Sequence, residues 1–191
     1  MSVAYLLLVL FGLLLLGVPV SIALGVSAIS ALFFFTPYNV IGSAEIMFNG
    51  LKPALMAIPM FILAGSLMSK GSSATRIVEF AKSLVGHLPG GLPISAILAC
   101  IIFAAVSGSS PATVVAVGSV MFLAIKNAGY PKSYAVGAIT SAGSLGILIP
   151  PSVVMIVYGV TAEVSIEKLF MAGVVPGLMI GLMMMIYAYV G

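Results

Sequence analysis

Residues 92–125 read LPISAILACIIFAAVSGSSPATVVAVGSVMFLAI, two apolar runs at 92–106 and 112–125 separated by Ser107-Gly108-Ser109-Ser110-Pro111. At about 1.5 Å of rise per helical residue, each run reaches only about 21 Å, short of the roughly 30 Å of a hydrocarbon core. A re-entrant helical hairpin fits these lengths better than two spanning helices.

Charge placement tests the hairpin independently. A hairpin returns the chain to the side it left, so Lys126 and Lys132 join Lys70, Arg76 and Lys82 on one face. Lys52 and Lys168 then lie opposite, with Glu45, Glu163 and Glu167. Five basic residues against two is the cytoplasmic bias expected of a membrane protein, whereas a single pass brings the balance to four against three.

Outward from the hairpin, the chain keeps the same character. Of its 191 residues 62% are hydrophobic and 6% are charged, and the mean hydropathy is +1.34, so lipid is its solvent. Residues 3–35 are apolar but interrupted by Gly17, Pro19 and Gly25, which predicts one kinked helix or two short ones. The N-terminus lacks a basic region and the run far exceeds a signal-peptide core, so it reads as a retained membrane segment. Residues 36–53 belong at a membrane face, 54–69 form the next apolar segment, and 70–89 predict an interfacial amphipathic helix.

Residues 134–161 are long enough to cross, yet Gly143, Gly146, Pro150 and Pro151 cluster near their middle. Two prolines remove two backbone donors and disfavour helix before them, which predicts two half-helices around an unwound centre. Residues 169–190 form a final span, and the stop at Gly191 without a polar tail suggests a fragment. The fold class is an all-α membrane protein of transmembrane helices plus a re-entrant hairpin and a discontinuous helix. Its parts are residues 1–90, N-terminal helices with the interfacial segment; 91–165, hairpin and broken helix; and 166–191, the last helix.

Two segments broken at membrane depth point to a binding site, because unpaired carbonyls in hydrocarbon persist only where protein, water or an ion satisfies them. Carbonyls and the hydroxyls of Ser107, Ser109, Ser110, Ser144 and Ser152 are hard oxygen donors suited to a small monovalent cation. The half-helix N-termini after Ser110 and Pro151 carry positive partial charge and suit an anionic substrate group. A kink merely packed on neighbouring helices is the plainer alternative for either break.

Other chemistry is unsupported. There is no aspartate and one histidine, His87, in the polar segment beside Lys82; no serine has a histidine and an acid placed to activate it. Gly108 begins no phosphate-binding loop, because no Gly-Lys-Ser/Thr follows. Seven basic residues spread along the chain make no nucleic-acid patch. Cys100 reads as a small packed hydrophobe, and Met179, Met183, Met184 and Met185 as lipid-facing or packing surface. Glu163 and Glu167, spaced one helical turn apart, read as a water-facing end, with contact to a partner protein as the alternative.

Three stretches carry a family resemblance: Ala57-Ile58-Pro59-Met60-Phe61-Ile62-Leu63-Ala64-Gly65, Val106-Ser107-Gly108-Ser109-Ser110-Pro111-Ala112-Thr113, and Gly143-Ser144-Leu145-Gly146-Ile147-Leu148-Ile149-Pro150-Pro151-Ser152. Gly129-Tyr130 and Phe170-Met171-Ala172-Gly173-Val174-Val175-Pro176-Gly177 add to it. In order and nearly end to end, the chain resembles the N-terminal half of the large membrane subunit of tripartite ATP-independent periplasmic (TRAP) transporters. The resemblance implies a bacterial inner-membrane, Na⁺-driven importer of organic acids, C4-dicarboxylate or sugar-acid in type, built from two inverted repeats and working by elevator-like displacement. It implies a small membrane subunit and a periplasmic substrate-binding protein as partners, with no cofactor besides the coupling ion.

By the same resemblance, Na⁺ is held by Ser107, Ser110, Gly146, Ile149 and Pro151, mostly through backbone oxygens, with Ser109, Pro111 and Ser152 near the substrate. Family members are about twice as long, and no second hairpin is present here. A passive channel and a non-transporting scaffold or assembly subunit are the alternative functions.

Overall fold

Most helices follow the apolar runs and several end at glycine, as at Gly71, Gly86 and Gly108, whereas Pro176 lies inside a helix. The computed structural model describes residues 2–35 and 53–190, in two compact units, 1–52 and 53–191. The expected membrane-face segment at 36–52, with Glu45 and Lys52, lies outside the described residues.

In the first unit, α1 (Ser2–Leu15) and α2 (Val20–Phe35) pack side by side. They resolve the 3–35 ambiguity in favour of two helices. Gly17 takes a left-handed φ of 78° and Pro19 stands just before α2, so the chain turns instead of kinking.

In the second unit, a 3-10 turn (Pro53–Met56) leads into α3 (Ala57–Lys70) and α4 (Ser73–Val85), bent by 72° at Gly71-Ser72. As the residue pattern requires, α4 is amphipathic: Ala74, Val78 and Ala81 are buried while Arg76 and Glu79 are exposed. α5 (Gly91–Ser107) is apolar all round and accordingly the most enclosed helix, with Ile97, Cys100, Phe103 and Ala104 essentially inaccessible. Around it pack α4, α6 (Ser110–Asn127), α7 (Lys132–Gly143) and α9 (Ile166–Val190).

Only Gly108 and Ser109 separate α5 from α6, so the two form a helical hairpin and return Lys126 toward the start of α5. Both helices outrun their apolar runs, at 17 and 18 residues, or about 25 and 27 Å. The added residues are polar but helix-compatible: Pro111 fits the first turn of α6, where its missing N–H costs nothing, and Lys126 suits the last. α6 and α9 are each long and apolar enough to cross a membrane.

The discontinuous helix is also present. α7 ends at Gly143, a 3-10 turn follows (Ser144–Ile147), and α8 (Val153–Thr161) starts after a non-helical stretch containing a cis Pro150-Pro151 bond. Ala162 to Ser165 then separate α8 from α9, so Glu163 and Glu167 do not share a helix as their spacing suggested: Glu163 sits in that turn at φ 55° and Glu167 in the first turn of α9.

Candidate functional site

Two helix breaks meet at one place. Gly108, at φ 60° and ψ 13°, ends α5, its N–H donating to the Ala104 carbonyl at 2.9 Å. A residue in this left-handed conformation is how helices commonly stop, and glycine adopts it without a steric penalty. Here a second requirement is added, since a methyl group on Gly108 would lie 2.6 Å from the Pro151 carbonyl oxygen. The Val153 N–H donates to the Gly108 carbonyl at 3.2 Å, fastening the hairpin tip to the start of α8.

The other side of the tip is equally close. Ser110 Oγ donates to the Gly143 carbonyl at 2.8 Å, across 33 residues of sequence, and so caps α7. A methyl on Gly146 would stand 3.0 Å from the Ser110 nitrogen. Ser107, Ser110, Gly146 and Pro151 thus converge on the tip and the unwound segment. Ile149 belongs to the same unwound stretch, and its side chain packs in the cluster of Ala104 and Leu145.

Inside the tip, the buried hydroxyls of Ser107 and Thr113 share a hydrogen bond of 3.1 Å, and Thr113 Oγ1 also donates to the Ser109 carbonyl at 2.8 Å. Ser109 is extended, at φ −134° and ψ 120°, which aims its carbonyl at α6, where the Thr113 N–H takes it at 3.1 Å. Thr113 is a structural member of the site that residue type alone gave no role. Its signal was a hydroxyl four residues after Ser109, at the start of an apolar run.

Among the described residues, no hydrogen bond ends on the carbonyls of Ser107, Gly146, Ile149 or Pro151. Such groups in a low-dielectric interior demand a partner. They are neutral, hard oxygens, the donor class that replaces the water shell of an alkali cation. Among the described residues no three His, Cys, Asp or Glu side chains gather into a metal-binding group.

α9 backs the unwound segment with a row of glycines. Methyl groups on Gly173, Gly177 and Gly181 would fall 2.5 Å from the Leu148 carbonyl oxygen, 2.9 Å from Ile149 Cγ1 and 2.7 Å from Ile101 Cδ1 respectively. Small residues every fourth position let helices approach this closely in membranes. The i, i+4, i+8 spacing was legible as a pattern, and the structure supplies what it holds.

Beside the tip, a cavity of about 280 Å³ opens between α3 and the start of α6. Ser109 and Pro111 line it together with Ser107, and α3 contributes Ser66 and Ser69, which carried no expectation. Ser152 does not reach it: this buried residue caps α8, its Oγ accepting from the Met155 N–H at 3.4 Å. Gly65 allows the contact between α3 and the tip, a methyl there lying 3.2 Å from Ser107 Cβ.

A family described as the tripartite ATP-independent periplasmic transporter, DctM component, matches residues 7–191. The C4-dicarboxylate TRAP transporter large permease protein of Vibrio cholerae is 47% identical over 192 residues, covering 100% of this chain and 42% of that protein. The ectoine TRAP transporter large permease protein of Halomonas elongata is 43% identical, covering 94% of the chain and 43% of the relative. The isethionate TRAP transporter permease protein of Oleidesulfovibrio alaskensis is 43% identical, covering 92% and 28%. The chain therefore spans less than half the length of the curated relatives it matches.

Proposed function

The chain belongs to the DctM component family of tripartite ATP-independent periplasmic transporters, and from that premise we propose that it forms the N-terminal part of a Na⁺-driven large permease importing organic acids across the bacterial inner membrane. The observation that carries the reading is the union of the two helix breaks: the Val153 N–H donates to the Gly108 carbonyl, Ser110 Oγ donates to the Gly143 carbonyl, and Gly146 lies against Ser110. In this reading Na⁺ is held there by the carbonyls of Ser107, Gly146, Ile149 and Pro151 and by Ser110. The tip sits at membrane depth, and residues 91–165 form half of the domain that moves.

The neighbouring cavity takes the substrate carboxylate, with Ser109 and Pro111 on one wall and Ser66 and Ser69 on the other. Hydroxyl donors and the positive end of α6 suit an anion, and Na⁺ beside it makes the two bind more tightly together, each strengthening the other equally. Elsewhere in the permease, the remaining length carried by the relatives completes the pocket. A periplasmic binding protein delivers the substrate and a small membrane subunit braces the permease. That one isethionate relative bears the name of a joined permease, DctMQ, supports the pairing.

The test is transport by a chimera in which this chain replaces the matched region of the Vibrio cholerae permease, reconstituted with its partners and given succinate. Uptake that requires Na⁺ and saturates, and loses its Na⁺ stimulation at least tenfold in S107A/S110A, is the expected result. Flux that is linear in substrate and indifferent to Na⁺ contradicts the proposal and points to a passive pore.

A further inference from the structure

A second depression, an open groove of about 550 Å³, lies between α7 and α9 with Ile97 of α5 in its lining. Its lining is almost wholly apolar and includes Tyr134, Gly137 and Ser141 of α7 with Met183, Met184 and Tyr187 of α9. Gly137 is the anomaly. Every other glycine inside one of the helices α3 to α9 has an atom within 3.3 Å of where its methyl group would be, whereas Gly137 faces open space. A glycine inside a helix costs roughly 1 kcal/mol relative to alanine, and close approach of another backbone is the usual reason for one in a membrane helix. No such backbone is present among the described residues.

We propose that the groove seats one membrane helix from the C-terminal portion that the relatives carry beyond the region matched here, packed with a small residue against Gly137. Two observations select that occupant. The chain accounts for 42% of the Vibrio cholerae relative, so more than half of such a permease must find surfaces to pack on. The surface of α7 is also unlike a lipid-facing one: Gly137, Thr140 and Ser141 are exposed along it, while the outer face of α9 presents Leu178, Met179, Leu182 and Ile186. A lipid chain gains nothing from a glycine notch, but a helix gains close packing and places its own carbonyls and small side chains beside the α7 hydroxyls. The inference rests on the chain being part of a longer permease and is independent of Na⁺ coupling.

The experiment places a nitroxide at G137C, in a C100A background, and reads its collision rate with oxygen in lipid bilayers. Open space at Gly137 makes the substitution harmless to this chain's own packing. In the 191-residue chain the label should be as accessible as a lipid-facing site, and in the Vibrio cholerae chimera accessibility should fall several-fold. A label already shielded in the 191-residue chain overturns the proposal, because the chain's own first unit or a second copy then fills the groove. Equal accessibility in chain and chimera overturns it as well, leaving lipid as the occupant. G137L gives a second readout: it should leave the melting temperature of the chain within about 2 °C and lower that of the chimera by more than 5 °C, and equal shifts count against a helix partner. Neither readout involves transport, so a failed Na⁺ reading leaves this one decidable.

Discussion

Gly108 answers two demands at once, a left-handed backbone and a carbonyl pressed against it, and the two can be separated experimentally. Gly129 has φ 93° and nothing within 4 Å of its absent methyl, so G129A carries the backbone strain alone, about 1 kcal/mol. G108A adds collision with the Pro151 carbonyl, and unfolding in detergent should show a loss at least twice as large; equal losses mean that the tip does not press on the unwound segment. The Ser107 and Thr113 hydroxyls invite a double-mutant cycle. S107A and T113V should each destabilise by about 1 kcal/mol and couple by about 0.6 kcal/mol, typical of hydrogen bonds between membrane helices. Full additivity would mean the 3.1 Å contact contributes nothing.

At the scale of elements, packing follows from which helices are apolar on every side. Phe103 of α5 is wholly enclosed and Val115 of α6 is 67% exposed, so F103A should cost about 3–5 kcal/mol and V115A under about 0.5 kcal/mol in denaturant titrations. Similar costs would mean that α5 is not the centre. Behind the unwound segment, G177L should push Ile149 away and abolish any Na⁺ effect on stability, whereas L178A on the exposed face of the same helix should preserve it. The break between α5 and α6, the amphipathic α4 and the broken α7–α8 pair were all legible, because glycine, proline and serine interrupt apolar runs for local reasons. The meeting of the two breaks was implied by the family resemblance alone, since Ser110 and Gly143 are 33 residues apart and no local rule sets their distance. Not legible were Ser66 and Ser69, which line the cavity beside the tip where Gly65 lets α3 lie against it.

For the whole molecule, the family gives the machine and the structure gives the part of it this chain can build. The five oxygen donors expected for the cation all lie between residues 107 and 151 within one compact unit. The 191-residue chain should therefore bind Na⁺ without the rest of the permease, even though it spans less than half of its relatives and leaves the groove at Gly137 uncovered. Binding to the folded state alone raises its stability by RT ln(1 + [Na⁺]/Kd), about 1.4 kcal/mol at ten times Kd. The direct measurement is thermal unfolding of the purified chain in Na⁺ against K⁺ at equal ionic strength. The account predicts a midpoint that rises with Na⁺ concentration, does not rise with K⁺, and loses its response in S107A/S110A. Identical midpoints in the two salts, or a Na⁺ response that survives the double substitution, would contradict it.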